Sequence, residues 1–409
     1  MDLPYPLAAD TFGPEEISAA KEVLDSGRLT MGQRVLGFER NFAGWVGAAH
    51  AVMVNSGSSA NLLMVDAMIR RSGAEPSWHA GDEVLVPALS WPTTAWPLVQ
   101  LGLVPVFVDV DPFTLAVDLN SARAALTPRT RGVFLIHVLG QTARMDAMLD
   151  FCREHRLDLI EDGCESLGSH FAGRHAGTFG RMGSFSFYFS HHLSTIEGGM
   201  IVCGDAALAD DLRSLRAHGW VRDRSDREQH RLRNPGFDDR FLFVLPGYNV
   251  RPTEIQGAVG SVQLRKLDEM LDARERLART VAGWTKRWAP WLRLVGAEHL
   301  AGAGPQGRDV RSSRSHSWMT LPFVVERDDI GVREVTEHLE RQRIETRPII
   351  AGNLARHPAA VRYAPRTAPS LANCDRLLQR GLMIGCHPTH SEGLLATLES
   401  GFRSLSGAF

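Results

Sequence analysis

Lysine is nearly missing from this 409-residue chain: of 45 basic residues only Lys21, Lys266 and Lys286 are lysine, and the rest are arginine. The bias has the look of codon composition, but it bears on the chemistry below. Charge of one sign is also lacking. A formal net charge of −2 excludes an extended nucleic-acid surface or an acidic tail. Five scattered cysteines, none in a CxxC pair, exclude a disulfide framework and zinc-ligand spacing. No apolar run reaches the roughly 18 residues a membrane span needs. The opening residues carry acids and prolines where a signal peptide needs a basic and then an apolar stretch, so the expected location is the cytoplasm.

What is present is an alternation. Apolar, β-branched runs at Ala51–Val54, Glu83–Pro87, Val104–Val110, Gly132–Val138 and Leu157–Ile160 are separated by amphipathic segments such as Ser59–Arg70, Asn120–Leu126 and Met145–His155. Strands separated by helices of this length imply βαβ units and a mainly parallel sheet covered on both faces. Ser184–Phe189 and Met200–Cys203 add two strands. A long helical stretch from Thr253 to Trp288 leads toward a smaller C-terminal α+β domain, with strands near Trp318–Val325 and Thr346–Ile350 and a helix near Val332–Arg343. The length favours two domains, 1–255 and 256–409. In such sheets ligands bind beyond the carboxyl ends of the strands, so the polar residues there carry the interest.

Asn55-Ser-Gly-Ser-Ser-Ala-Asn61 follows a strand and opens a helix, an anion site suited to phosphate or simply a serine-rich cap. Asp162 ends a strand as a surface cap, a metal ligand or a partner for a protonated pyridine nitrogen. Trp91, at another strand end, packs in the core or stacks on a ring. Gly183-Ser-Phe-Ser-Phe-Tyr-Phe-Ser-His191-His192-Leu-Ser-Thr-Ile-Glu-Gly-Gly199 completes the series.

In this order, and with Gly27–Gly32 and Gly247-Tyr-Asn249-Val-Arg251, these motifs resemble the DegT-like nucleotide-sugar aminotransferases over nearly the whole chain. The resemblance implies an aspartate-aminotransferase-like α/β fold (pyridoxal-phosphate fold type I). Gly57, Ser58 and Ser59, helped by Ser186, would cradle the phosphate of pyridoxal or pyridoxamine phosphate. Trp91 would cover the ring, and Asp162 would pair with its nitrogen. Glu165 stands near the ring hydroxyl, where aminotransferases usually carry Gln. Asn249 would reach the neighbouring subunit's cofactor, which implies a homodimer with shared sites. His218 and Arg251 are expected at the sugar nucleotide.

One departure matters most. Six residues ahead of the Glu-Gly-Gly acid, where the family carries the lysine that tethers the cofactor, stands His191. Imidazole forms no such tether, so the cofactor is expected to be held without a covalent bond. Lysine-free sites of this kind resemble the sugar 3-dehydratases. The iron–sulfur subtype needs a cysteine-rich insert, and no cysteine lies between Cys203 and Cys374. The resemblance therefore implies C3 dehydration of a GDP-linked 4-keto-6-deoxy sugar, most plainly GDP-4-keto-6-deoxy-D-mannose, with glutamate restoring the amine. Histidine, with an unperturbed pKa of about 6.5, suits an acid that is also a base. His192 and His218 are otherwise solvated or structural. The six arginines of 220–240 either meet a diphosphate or neutralise the five acids among them. His387 and His390 read as a structural pair rather than a metal site. The competing expectations are a working aminotransferase, the same dehydration on another nucleotide sugar, and a non-catalytic cofactor-binding regulator.

Overall fold

The computed structural model describes residues 5–300, 314–389 and 391–409. A seven-stranded sheet is built from β1 (His50–Val54), β2 (Glu83–Pro87), β3 (Val104–Val108), β4 (Thr130–Ile136), β5 (Asp158–Asp162), β8 (Met182–Ser186) and β9 (Gly199–Cys203), with a small hairpin β6 (His170–Phe171) and β7 (Arg174–His175) beside it. Its order is β1-β9-β8-β5-β4-β2-β3, and β9 alone runs against its neighbours. The strands are buried nearly throughout, as expected of a sheet sandwiched between helices. The Gly57–Ile69 helix, apolar on almost every side, packs against β8 and β9 and is accordingly buried.

A second sheet of four strands has the order β10-β11-β13-β12, from β10 (Leu292–Leu294), β11 (Thr320–Val325), β12 (Thr346–Arg347) and β13 (Gly381–Gly385). The 35-residue helix Glu254–Trp288 joins the two, packing against the N-terminal helices Pro14–Ser26 and Gln33–Val46 and against the C-terminal helix Glu392–Ala408. Glu254 accepts the N–H groups of Gly32, Arg34 and Val35, so the long helix also caps the start of its neighbour. Among the described residues no helix is long and apolar enough to cross a membrane.

Two small-sheet strands differ from the sequence reading. The run at 346–350 keeps ladder pairing only at Thr346 and Arg347, because Pro348 cannot donate a ladder hydrogen bond. Gly381–Gly385, which pairs with both β11 and β12, was not expected: it follows the Ala372–Arg380 helix directly, with Gly381 alone as both helix cap and strand start.

Candidate functional site

A cavity of about 600 Å³ lies at the carboxyl edge of the large sheet, between it and the small sheet. The large sheet contributes Ser56, Gly57 and Ser58 after β1, Trp91 after β2, Asp162 and Glu165 after β5, and Ser186 and His191 after β8. Met319, Thr320, Arg347 and Met383 close it from the small sheet. Every sequence-predicted residue just named except Ser59, His218, Asn249 and Arg251 is therefore in one place.

At one end the Gly57–Ile69 helix begins. Ser56 caps it by accepting the N–H of Ser59, and the other first-turn N–H groups have no intrahelical partner, which makes the end an oxyanion seat. A Cβ on Gly57 would stand 2.6 Å from that of Ser186, and one on Gly199 would stand 2.3 Å from the Ser56 carbonyl. Both must be glycine for this helix start to sit so close to β8 and β9. Ser59 does not line the cavity: its hydroxyl donates to Asn55 at 2.7 Å and supports the cap.

Asp162 is 2% exposed and oriented by three donors. Asn61 Nδ2 and Thr94 Oγ1 bond one carboxylate oxygen at 2.8 and 2.7 Å, and the Cys164 N–H bonds the other at 3.1 Å. Asn61 is in turn fixed by the Ser184 hydroxyl at 2.6 Å. Sequence reasoning missed these supports, although a lone Asn one turn into an apolar helix was a signal. Glu165 accepts the Leu139 N–H at 2.9 Å, and Leu139 takes φ 51° to present it. Burial, reinforced by the Asp162 charge, pushes the Glu165 carboxyl up to about 8.

The connection from β8 to β9 brings up the histidines. The His191 N–H bonds the Tyr188 carbonyl at 2.9 Å, and its half-buried ring lines the cavity with Nδ1 sealed from solvent and unpartnered. Burial, and then the Arg274 guanidinium, pull its pKa down to about 4. His192 points elsewhere: it is 1% exposed, and its Nε2 meets the Ser317 carbonyl at 3.1 Å. Of the three lysines, Lys266 pairs with Glu16 at 2.9 Å, Lys21 and Lys286 are exposed, and none lines the cavity.

The structure does not bring His218, Asn249 and Arg251 into this cavity. Ala217 pairs with Asn249 in a short antiparallel bridge, which leaves His218 and Asn249 exposed and Arg251 half-exposed. In the arginine-rich loop, Arg222, Arg224, Arg227, Arg231 and Arg240 each pair with a carboxylate, so self-neutralisation prevails there. His387 packs on the Tyr5 ring at 4.9 Å, and His390 lies outside the described residues. Among the described residues no three His, Cys, Asp or Glu side chains converge as a metal site.

A parallel sheet with one reversed strand, a helix start and a carboxylate at its carboxyl edge, and a small second sheet facing them together define a protein of the aspartate-aminotransferase fold. The chain belongs to the DegT/DnrJ/EryC1/StrS aminotransferase family, whose model matches residues 10–397. It is 37% identical over 388 residues, 94% of this chain and 95% of the relative, to a GDP-4-keto-6-deoxy-D-mannose 3-dehydratase of Escherichia coli. Among solved structures, a histidine-to-asparagine mutant of such a dehydratase with bound GDP-perosamine matches with TM-score 0.87 and 35% identity, over 97% of this chain and 100% of that one. Another, with a trapped PLP-glutamate geminal diamine, matches with TM-score 0.84 and 35% identity, over 99% of each.

Proposed function

We propose that this chain is a pyridoxamine-phosphate-dependent 3-dehydratase of a nucleotide-linked 4-keto-6-deoxy sugar, GDP-4-keto-6-deoxy-D-mannose by its likeness to the dehydratases above. The observation that carries the reading is His191 in the wall of a cavity that no lysine lines. The cavity fits the cofactor on its own terms: an uncovered helix start that a Cβ on Gly57 would block, a triply oriented carboxylate at Asp162, and an aromatic at Trp91. Gly57, Ser58 and Ser186 would hold the phosphate, Asp162 the ring nitrogen and Glu165 the ring hydroxyl.

Bound there, pyridoxamine phosphate supplies an amine for the C4 ketone and a ring that absorbs the electrons of an ionised C–H bond. The residues do the rest. His191, neutral at working pH, takes the proton from the carbon beside the ring; with Nδ1 sealed, Nε2 is the nitrogen that meets it. The same imidazole returns the proton to the departing C3 hydroxyl, and a strongly acidic imidazolium suits that second task. Because no lysine competes for the cofactor, water ends the cycle and the nitrogen leaves as ammonia. Glutamate then restores the amine.

The reading includes a homodimer. Trp91 is 54% exposed beside the cavity, and Asn249 is exposed on its own surface, positions that suit completion of each site by a second copy. Arg251 lies two residues beyond Asn249 and His218 beside it across the Ala217–Asn249 bridge, and both are assigned to the sugar nucleotide there. It also includes a cofactor-binding part at 1–255, a second part at 256–409, and work in the reducing cytoplasm, which suits five unpaired thiols.

The test mixes the protein with pyridoxamine phosphate, glutamate and GDP-4-keto-6-deoxy-D-mannose. Ammonia, 2-oxoglutarate and a product lighter by one oxygen are expected. An amino sugar as product, or a borohydride-trappable bond between protein and cofactor, would overturn the reading.

A further inference from the structure

Four arginines in the described chain are at least nine-tenths buried: Arg216, Arg224, Arg274 and Arg314. Three pair with carboxylates. Arg216 meets Glu39 at 2.6 Å, Arg224 meets Asp211 and Asp226, and Arg314 meets Asp272. Arg274, inside the Glu254–Trp288 helix, has no carboxylate partner among the described residues. Its Nη1 donates only to backbone carbonyls, those of Trp318 at 3.3 Å, Met319 at 3.0 Å and Cys386, and its Nε has no partner. Carbonyls orient such a charge without cancelling it, so it acts on whatever titratable group stands nearby.

That group is the histidine pair. Ser317, the residue before Trp318, offers its carbonyl to His192. Three successive carbonyls, 317 to 319, thus hold His192 and Arg274 together. Trp318 takes φ 52° in this run, a left-handed conformation unusual for so large a residue. Met319 continues directly into the cavity wall.

We propose that Arg274 is a positioning residue for His191: its uncompensated cation, aimed by three backbone carbonyls, opposes a second positive charge on the imidazole and keeps it ready to accept a proton. The inference rests on the reading of His191 as the proton-transfer residue. Tyr188 packs edge-on against that ring and His192 neighbours it, and Glu197 and Cys164 line the same cavity. Asp162 and Glu165 face it from the end of β5, and Arg347 from the small sheet. An ionised carboxylate would favour the imidazolium, while Arg274 opposes it. The depressed pKa of His191, caused first by burial and then by Arg274, agrees with this balance.

The test compares Arg274→Gln and Arg274→Lys with the wild type as holoenzymes, reading kcat/KM for dehydration against pH. In Arg274→Gln the acid limb moves up by about one pH unit. In Arg274→Lys, which keeps the charge, it stays with the wild type. An unmoved limb in a folded, cofactor-binding Arg274→Gln overturns the proposal. Should that variant not fold, carbethoxylation of His191 in the wild type, followed by mass spectrometry across pH, decides. Half-maximal reactivity well below pH 6 is expected, and a midpoint near the ordinary value of about 6.5 overturns it. The two readings fail separately: an active His191→Asn variant removes the histidine's role and this inference with it, whereas an unmoved acid limb removes Arg274's alone.

Discussion

The two walls of the cavity are made of different materials. The large-sheet wall carries Asp162, Glu165 and His191, each placed at a strand end and each with a backbone or side-chain bond that fixes it. The small-sheet wall presents Met319, Thr320 and Met383, and its one charged side chain, Arg347, is already paired with Glu345 at 2.6 Å. Asp162 and Glu165 thus stand at the end of a buried strand and His191 on the connection beyond β8, while the facing sheet closes the cavity and the Ser317 carbonyl just ahead of it holds His192. The contrast predicts where substitutions abolish chemistry and where they only loosen binding.

The largest effect is expected at His191. His191→Asn removes proton transfer and is expected to lower the dehydration rate by about 10²- to 10⁴-fold, with cofactor binding retained. His191→Lys is expected to lose dehydration as well, while gaining a borohydride-trappable link to the cofactor. Dehydration by His191→Asn at the wild-type rate would move the chemistry off this wall altogether. Next in size is Asp162→Ala. It removes the proposed ring-nitrogen partner and also leaves Asn61 and Thr94 each with an unmet buried donor, at about 1–3 kcal/mol each. Lost activity together with a lowered melting point is expected, and an unchanged melting point would show that the donors are not committed to Asp162.

The same contrast explains what was legible. The polar wall could be read because Asp162 and Glu165 come at the end of an apolar run that makes a buried parallel strand, and because the missing lysine is a difference at one defined position. Asn61 closes the Asn55–Asn61 motif, yet its bond to Asp162, 101 residues away, and that of Thr94, 68 residues away, are pairings no local pattern encodes. The small-sheet wall was poorly legible for a third reason. Met319, Thr320 and Met383 are ordinary strand residues, and β13 between its neighbours carries only a five-residue run with glycine at both ends. His218, Asn249 and Arg251 show the limit of motif reading. Their spacing matched the family, yet in one chain His218 and Asn249 are exposed, Arg251 is half-exposed, and none of the three lines the cavity.

The large and small lobes also share a weakness to acid. Burial pulls His175, beside β8, down to about 3, and holds His192 and His316, at the junction of the two sheets, well below the usual imidazole range. A depressed imidazole favours the fold while neutral. Its contribution is complete above about pH 6.5 and is lost as pH falls toward the folded value. At pH 5 the His175 ring, held at about 3, has withdrawn about 2 kcal/mol. Thermal unfolding at pH 7.5 and pH 5 is expected to show a clearly lower midpoint in acid. Equal midpoints would mean that these rings are protonated, or hydrated, in the native protein.

The smallest effect is expected at Glu165, and it refines what the polar wall is. A carboxyl pushed up to about 8 is mostly protonated at neutral pH, so in its proposed place at the ring hydroxyl Glu165 would act as a hydrogen-bond donor, as a glutamine would. Glu165→Gln keeps the donor and its reach to the Leu139 N–H, and it is expected to change the neutral-pH rate by less than about threefold, well inside the range of lost acid–base catalysis. Above pH 8 the two proteins part. The wild type loses its proton and with it the donor, so its rate falls on the alkaline side, whereas the glutamine variant has nothing to lose there. A pH–rate profile to about pH 9 on both proteins reads the difference. If the wild type shows no alkaline decline that the variant lacks, Glu165 works as an anion, and the polar wall carries one more charge than its buried geometry favours.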